Sequence, residues 1–101
     1  MTKRWTIKWR RKALADLRRI DEWLSNIEGS SPAKVRERIG NSVASLERLG
    51  DIGRPSKVEG WREISVRRAP YVIAYRLKGG VIEVVAVYHT AEDRNGGEAK
   101  S

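Results

Sequence analysis

Six side chains in this 101-residue sequence are of the types that acid–base or phosphate chemistry needs. His89 is the sole histidine, and histidine titrates in the useful range near neutrality. Glu63 is a carboxylate inside a strand-like run, and Arg62, Arg67, Arg68 and Arg76 are cations able to hold a phosphate. As a set they suit metal-free cleavage of an RNA phosphodiester. That reaction needs a base for the 2′-hydroxyl, an acid for the leaving 5′-oxygen and cations around the charged phosphorane. All of them must converge within a few ångströms.

The elements that carry these residues decide whether they can meet. Tyr71 to His89 reads YVIAYRLKGGVIEVVAVYH, two β-rich runs around Gly79-Gly80. A two-residue glycine turn between such runs is a strong hairpin signal. A regular ladder then sets Lys78 against Val81, Arg76 against Glu83, Ala74 against Val85 and Val72 against Val87. On the other face Leu77 meets Ile82, Tyr75 meets Val84, Ile73 meets Ala86 and Tyr71 meets Tyr88. This second face is apolar throughout and is expected to lie under helices, with Tyr88 pointing into it. Arg76 sits near the turn and His89 at the far end. At about 3.3 Å rise per residue the two are separated by roughly 20 Å. Arg76 is therefore read as the partner of Glu83, while His89 falls near the Arg67-Arg68 turn.

Upstream, Trp5, Ile7 and Trp9 alternate with polar residues, the period of a strand with one apolar face. From about Lys12 the period becomes helical through Leu14, Leu17, Ile20, Leu24 and Ile27, with Ala13 beside the stripe. Asp16, Arg19, Asp21 and Glu22 fall largely off it, and this helix is expected to stop near Glu28-Gly29. Ser31-Pro32 is a second helix start, and Val35, Ile39, Val43, Leu46 and Leu49 make its stripe before a Gly50 cap. Asp51 to Gly60 reads as a loop, and Trp61 to Val66 as another strand. The expected fold is α+β in the order β-α-α-β-β-β, a helical hairpin packed on a mainly antiparallel four-stranded sheet. Residues 1–94 form one domain in this reading, and 95–101 a frayed tail. The first strand lies either at an edge or beside the last strand.

Composition narrows the setting. No cysteine is present, so neither a disulfide nor a thiolate metal site is available. One histidine and scattered carboxylates make no metal-ligand cluster, and no cofactor is expected. Gly53-Arg54-Pro55-Ser56-Lys57 lacks the spacing and following helix of a phosphate loop. No apolar run is long enough for a membrane span, so the protein reads as cytoplasmic. The formal net charge is +8. The first nineteen residues carry eight cations against Asp16 alone, 8 − 1 = +7, leaving +1 for the remainder. Such a basic region suits an acidic partner or a polyanion. Four tryptophans could serve as stacking platforms for nucleic acid, but Trp5 and Trp9 share the face of Ile7 and are read as core.

The chain resembles the RelE/ParE superfamily of bacterial toxins. The likeness is carried by Ala13-Leu14-Ala15-Asp16-Leu17 with Ile20 and Trp23-Leu24, then by Gly53-Arg54-Pro55. It continues in Trp61-Arg62-Glu63-Ile64-Ser65-Val66, Pro70-Tyr71-Val72-Ile73-Ala74-Tyr75-Arg76 and Val84-Val85-Ala86-Val87-Tyr88-His89. The ordered set points to the ParE-like branch. The resemblance implies a toxin of a type II toxin–antitoxin system, neutralised by a cognate antitoxin whose binding segment is commonly acidic and disordered when alone. Arg10, Arg11, Arg18, Arg19 and Trp23 are the expected antitoxin-binding residues. ParE-like members inhibit DNA gyrase, and Arg67, Arg68, His89 and Arg94 are the expected target-binding residues. RelE-like members cut mRNA on the ribosome, and His89, Arg67, Arg68 and Arg62 are the catalytic candidates if this chain does the same. Some RelE-like nucleases place a tyrosine after the late histidine, where this chain has Thr90. The sequence is also compatible with a basic nucleic-acid-binding module and with an inactive toxin relative.

Overall fold

The computed structural model describes residues 4–91. Its elements are β1 (Thr6–Trp9), α1 (Arg11–Ser25), α2 (Pro32–Leu49), β2 (Arg54–Pro55), β3 (Arg62–Ser65), β4 (Tyr71–Lys78) and β5 (Val81–His89). The α+β architecture is as expected, with one added strand. Arg54 and Pro55, inside the expected loop, pair with Glu63 and Arg62. The sheet order is β1-β5-β4-β3-β2. The first strand is both at an edge and beside the last one, running parallel to β5 with Thr6 opposite Val81 and Trp9 opposite Val84. The other pairings are antiparallel.

Local chemistry accounts for the helix ends. The Ser31 hydroxyl accepts a hydrogen bond from the Lys34 backbone N–H at 3.3 Å, with Pro32 behind it in the first turn. Gly50 closes α2, its N–H donating to the Leu46 carbonyl at 2.8 Å. α1 ends at Ser25, earlier than its hydrophobic period suggests. There the Ser25 hydroxyl donates to the Asp21 carbonyl and the Asn26 amide to the Glu22 carbonyl. Short polar side chains that compete for backbone carbonyls end helices in this way.

The stripe of α1 is rotated from the expected one. Ala13, Asp16, Ile20 and Leu24 are its buried residues, whereas Leu14 is 45% exposed. At 100° per residue, Leu14 lies about a quarter turn from Ala13, the residue the sheet covers. Asp16, expected off the stripe, is therefore an interior carboxylate. On α2 the buried residues are Ile39, Ser42, Val43 and Leu46. Both stripes meet Ile64, Val66, Tyr71, Ile73, Tyr75, Ile82, Val84 and Val87 from the sheet, and Trp5, Ile7 and Trp9 pack against this core as their period predicts.

The central hairpin begins in the expected register. Lys78 opposes Val81, Leu77 opposes Ile82, Arg76 opposes Glu83 and Tyr75 opposes Val84. A bulge between Ala74 and Tyr75 then shifts the ladder, so Ala74 opposes Ala86, Ile73 opposes Val87, Val72 opposes Tyr88 and Tyr71 opposes His89. Val85 is the extra residue of β5. One inserted residue exchanges the faces of everything beyond it. His89, not Tyr88, thus comes to the helix side beside Tyr71. Tyr88 goes to the opposite face, where it packs with Trp61 on a small second cluster of Ala74, Val85 and Ala86.

Candidate functional site

The bulge is the feature that arranges the ionisable groups. β1 reaches only as far as Val84, where the Arg10 N–H donates to the Val84 carbonyl at 3.0 Å. Beyond it the edge of β5 is served by α1. The Asp16 carboxylate accepts the Val87 backbone N–H at 2.9 Å and is held from outside by Lys12 at 2.8 Å and Arg19 at 3.2 Å. A buried carboxylate is stable in this setting because an N–H and two cations satisfy it. Arg19, one of the expected partner-binding cations, is in part committed to this cap. Arg11 and Arg18 are exposed on the same helix.

His89 lies at the end of β5 with its ring edge-on to Tyr71, the centroids 5.3 Å apart. Its Nδ1 accepts the Ala91 N–H at 3.0 Å, so the neutral ring carries its proton on Nε2. His89, Tyr71, Ala91, Arg19, Ile20 and Trp23 line a mainly apolar cleft of about 510 Å³. Trp23 is 54% exposed at its rim. The histidine is therefore brought together with a tryptophan and an arginine of α1.

The remaining candidates lie elsewhere. Arg76 occupies the opposite face of the sheet, five residues along β4 from the partner of His89. Its Nε donates to Glu83 Oε1 at 2.6 Å, and Arg10 approaches the second oxygen of Glu83 at 3.6 Å. The Arg76 guanidinium holds the Glu83 carboxyl below the usual carboxylate range, against the opposing effect of burial. Arg10 is thus part of an arginine–glutamate–arginine line across the sheet.

Arg62 is tied into a structural knot. Its Nε donates to Asp51 at 2.6 Å and its Nη2 to the Gly53 carbonyl at 2.6 Å. The Tyr75 hydroxyl, reached through the core, donates to the same Asp51 oxygen at 2.6 Å and accepts from the Gly53 N–H at 2.8 Å. Hydrogen bonding to Tyr75 and then Asp51 raises the Arg62 pKa. Burial first, and then the hydrogen bond to Asp51, pushes the Tyr75 hydroxyl up. Glu63 is buried on the far face, accepting from the Tyr88 hydroxyl at 2.9 Å and pairing with Arg54 at 3.0 Å.

Arg67 and Arg68 stand exposed on the turn between β3 and β4, and Arg38 of α2 donates to the Arg68 carbonyl at 2.8 Å. The structure brings these three arginines together, and no local signal in the sequence marks Arg38, which falls outside the apolar stripe of α2, as a neighbour of that turn. Arg94 and the expected tail at 95–101 lie outside the described residues. Among the described residues no three His, Cys, Asp or Glu side chains gather as a metal site. Among them, too, no helix is long and apolar enough to cross a membrane.

Comparison with known proteins adds a lineage to this geometry. Residues 7–94 match the family described as ParE toxin of type II toxin-antitoxin system, parDE. A Sinorhizobium fredii protein named "Putative toxin Y4kP" is 33% identical over 83 residues, covering 82% of this chain and 85% of its own. Among solved structures, one from the chromosomal ParDE system of P. aeruginosa superposes with a TM-score of 0.74 at 31% identity, covering 84% of this chain and 95% of that one. A chain from the intact E. coli RelBE toxin–antitoxin complex gives a TM-score of 0.60 at 16% identity, over 84% of this chain and 95% of its own, a likeness of fold alone.

Proposed function

Because the chain belongs to the ParE toxin family of type II toxin–antitoxin systems, we propose that it is a toxin that inhibits DNA gyrase and is neutralised by a cognate antitoxin. The observation that carries this reading is the scatter of its reactive groups. A metal-free nuclease needs a histidine and several cations around one phosphate. Here His89 and Arg76 face opposite sides of the sheet, and Arg62 and Arg76 are each engaged with a carboxylate. A protein that acts by binding its target needs no such convergence.

The antitoxin reading is supported by α1. Arg11 and Arg18 offer positive charge on the side of the helix that also exposes Leu14 and Ala15. Trp23 and the apolar cleft under His89 offer an aromatic anchor point nearby. An acidic segment with apolar residues, folding as it binds, matches both features. The solved relatives from ParDE and RelBE toxin–antitoxin systems support a cognate antitoxin as a partner.

The test uses the purified chain with and without the antitoxin encoded beside it. The toxin reading predicts loss of gyrase supercoiling, restored by the antitoxin, with mRNA left intact in a translating extract. Cleaved mRNA with normal supercoiling would replace gyrase by the ribosome.

A further inference from the structure

The largest of the clefts described is not the aromatic one. It measures about 680 Å³ and lies between α2 and the turn that joins β3 to β4. Its cations are Arg38, Arg67 and Arg68. Neither Arg67 nor Arg68 has an acidic partner among the described residues. Asn41, Ser42 and Ser45 of α2 add neutral donors and acceptors to the lining. Glu37 is the single acid of the lining, and Ile52 and Ile64 its apolar members.

The backbone reinforces the charge pattern. Arg68 has φ +62°, and among the described residues it is the one non-glycine residue in the left-handed region. Glycine would sit there without strain. Its carbonyl is meanwhile gripped by Arg38. The chain thus holds a strained turn that presents two guanidinium groups, a pattern associated with binding sites.

We propose that this cleft binds the phosphodiester backbone of a nucleic acid, with Arg38, Arg67 and Arg68 taking phosphate oxygens. Guanidinium forks with serine hydroxyls and a side-chain amide are the usual phosphate-contacting groups. An acidic peptide fits this cleft less well, because protein partners take their affinity from apolar anchors in desolvated pockets. The aromatic cleft of α1 has that character and this one does not. A second copy of a chain with net charge +8 is disfavoured by repulsion. The inference goes beyond the gyrase reading and stands without it.

Fluorescence anisotropy of the full chain tests it across a salt series, with a short labelled duplex DNA, a single-stranded RNA of the same length and an acidic polyglutamate peptide as probes. The expected result is binding to at least one nucleic acid, with log K falling linearly against log salt. Arg67→Ala and Arg68→Gly should each flatten that slope by about 1. Arg68→Gly keeps or improves the backbone, so its thermal unfolding should be unchanged or shifted upward, which separates lost binding from lost folding. The double variant Arg11→Ala/Arg18→Ala should leave the slope as it is. Three outcomes overturn the proposal: no binding of either nucleic acid at low salt, a slope set by Arg11 and Arg18 instead, or loss of polyglutamate binding alone in the turn variants. None of them bears on supercoiling, so gyrase inhibition is judged separately.

Discussion

Asp16 and His89 show how single side chains divide between holding the fold and meeting a partner. Asp16 closes the edge of β5 by accepting the Val87 N–H. Asp16→Ala would leave that buried donor unpaired and strand Lys12 and Arg19 without their acid. The expected cost is about 1–3 kcal/mol, and more if the charge pairs matter in the interior. Asp16→Asn keeps an acceptor and should recover part of the loss. Chemical denaturation of the two variants checks this, and equal stability of Ala and Asn would refute the cap. His89 makes a ring contact and one backbone hydrogen bond at the strand end. Under the gyrase reading, His89→Ala should change supercoiling inhibition by no more than a few-fold. In a nuclease that relied on this histidine, the same change should cost about two to four orders of magnitude in cleavage rate. Measuring both activities on the same variant distinguishes them.

The decisive element is the hairpin of β4 and β5. Gly79 and Gly80 both have positive φ, 56° and 81°, as the primed two-residue turn demands. That turn aligned the first four pairs, and the bulge at Val85 realigned the rest. The short β2 strand depends on a different close approach. A Cβ on Gly53 would lie 2.5 Å from the Tyr75 hydroxyl and 2.6 Å from the Glu63 carbonyl oxygen. The second of these is backbone and cannot swing away. Gly53→Ala should therefore push β2 off β3, destabilising the protein by about 1–3 kcal/mol. For a domain of this size that lowers Tm by at least about 4 °C. A melting curve that matches the unsubstituted chain would show that the loop accommodates the methyl freely.

For the whole molecule, the pH dependence of stability follows from two perturbed groups. Glu83 binds its proton more weakly in the fold than in the unfolded chain, because Arg76 favours the carboxylate. Its contribution is present above the ordinary glutamate pKa and is lost as the pH falls through the lower folded value. Tyr75 binds its proton more tightly in the fold, through burial and Asp51. Its contribution is complete below the ordinary tyrosine pKa and is lost as the pH rises through the higher folded value. Thermal melts should therefore fall off on both sides of a neutral plateau. Glu83→Gln should flatten the acid side and leave the alkaline side in place. An unchanged acid limb in that variant would show that other carboxylates govern it. Charge is also divided at this scale, with Arg11 and Arg18 on α1 and a second cationic group at Arg38, Arg67 and Arg68. In our reading the first serves an acidic protein and the second a nucleic acid.

Local patterns in the sequence were enough for the order of the elements, the Ser31-Pro32 and Gly50 helix ends, the apolar face of Trp5, Ile7 and Trp9, and the Arg76–Glu83 pair. Each of these depends on neighbours a few residues apart or on one tight turn, and such signals are written in residue type and period. The rotation of α1, the bulge at Val85, the fifth strand and the meeting of Arg38 with Arg68 were decided only in three dimensions. They depend on which side of a helix the sheet covers and on where one strand stops beside another. Asp16 and Val87 are 71 positions apart, and no local period carries information over that distance. A single added residue in β5 then sufficed to exchange Tyr88 and His89 between the faces of the sheet, because side chains on a strand alternate with a period of two.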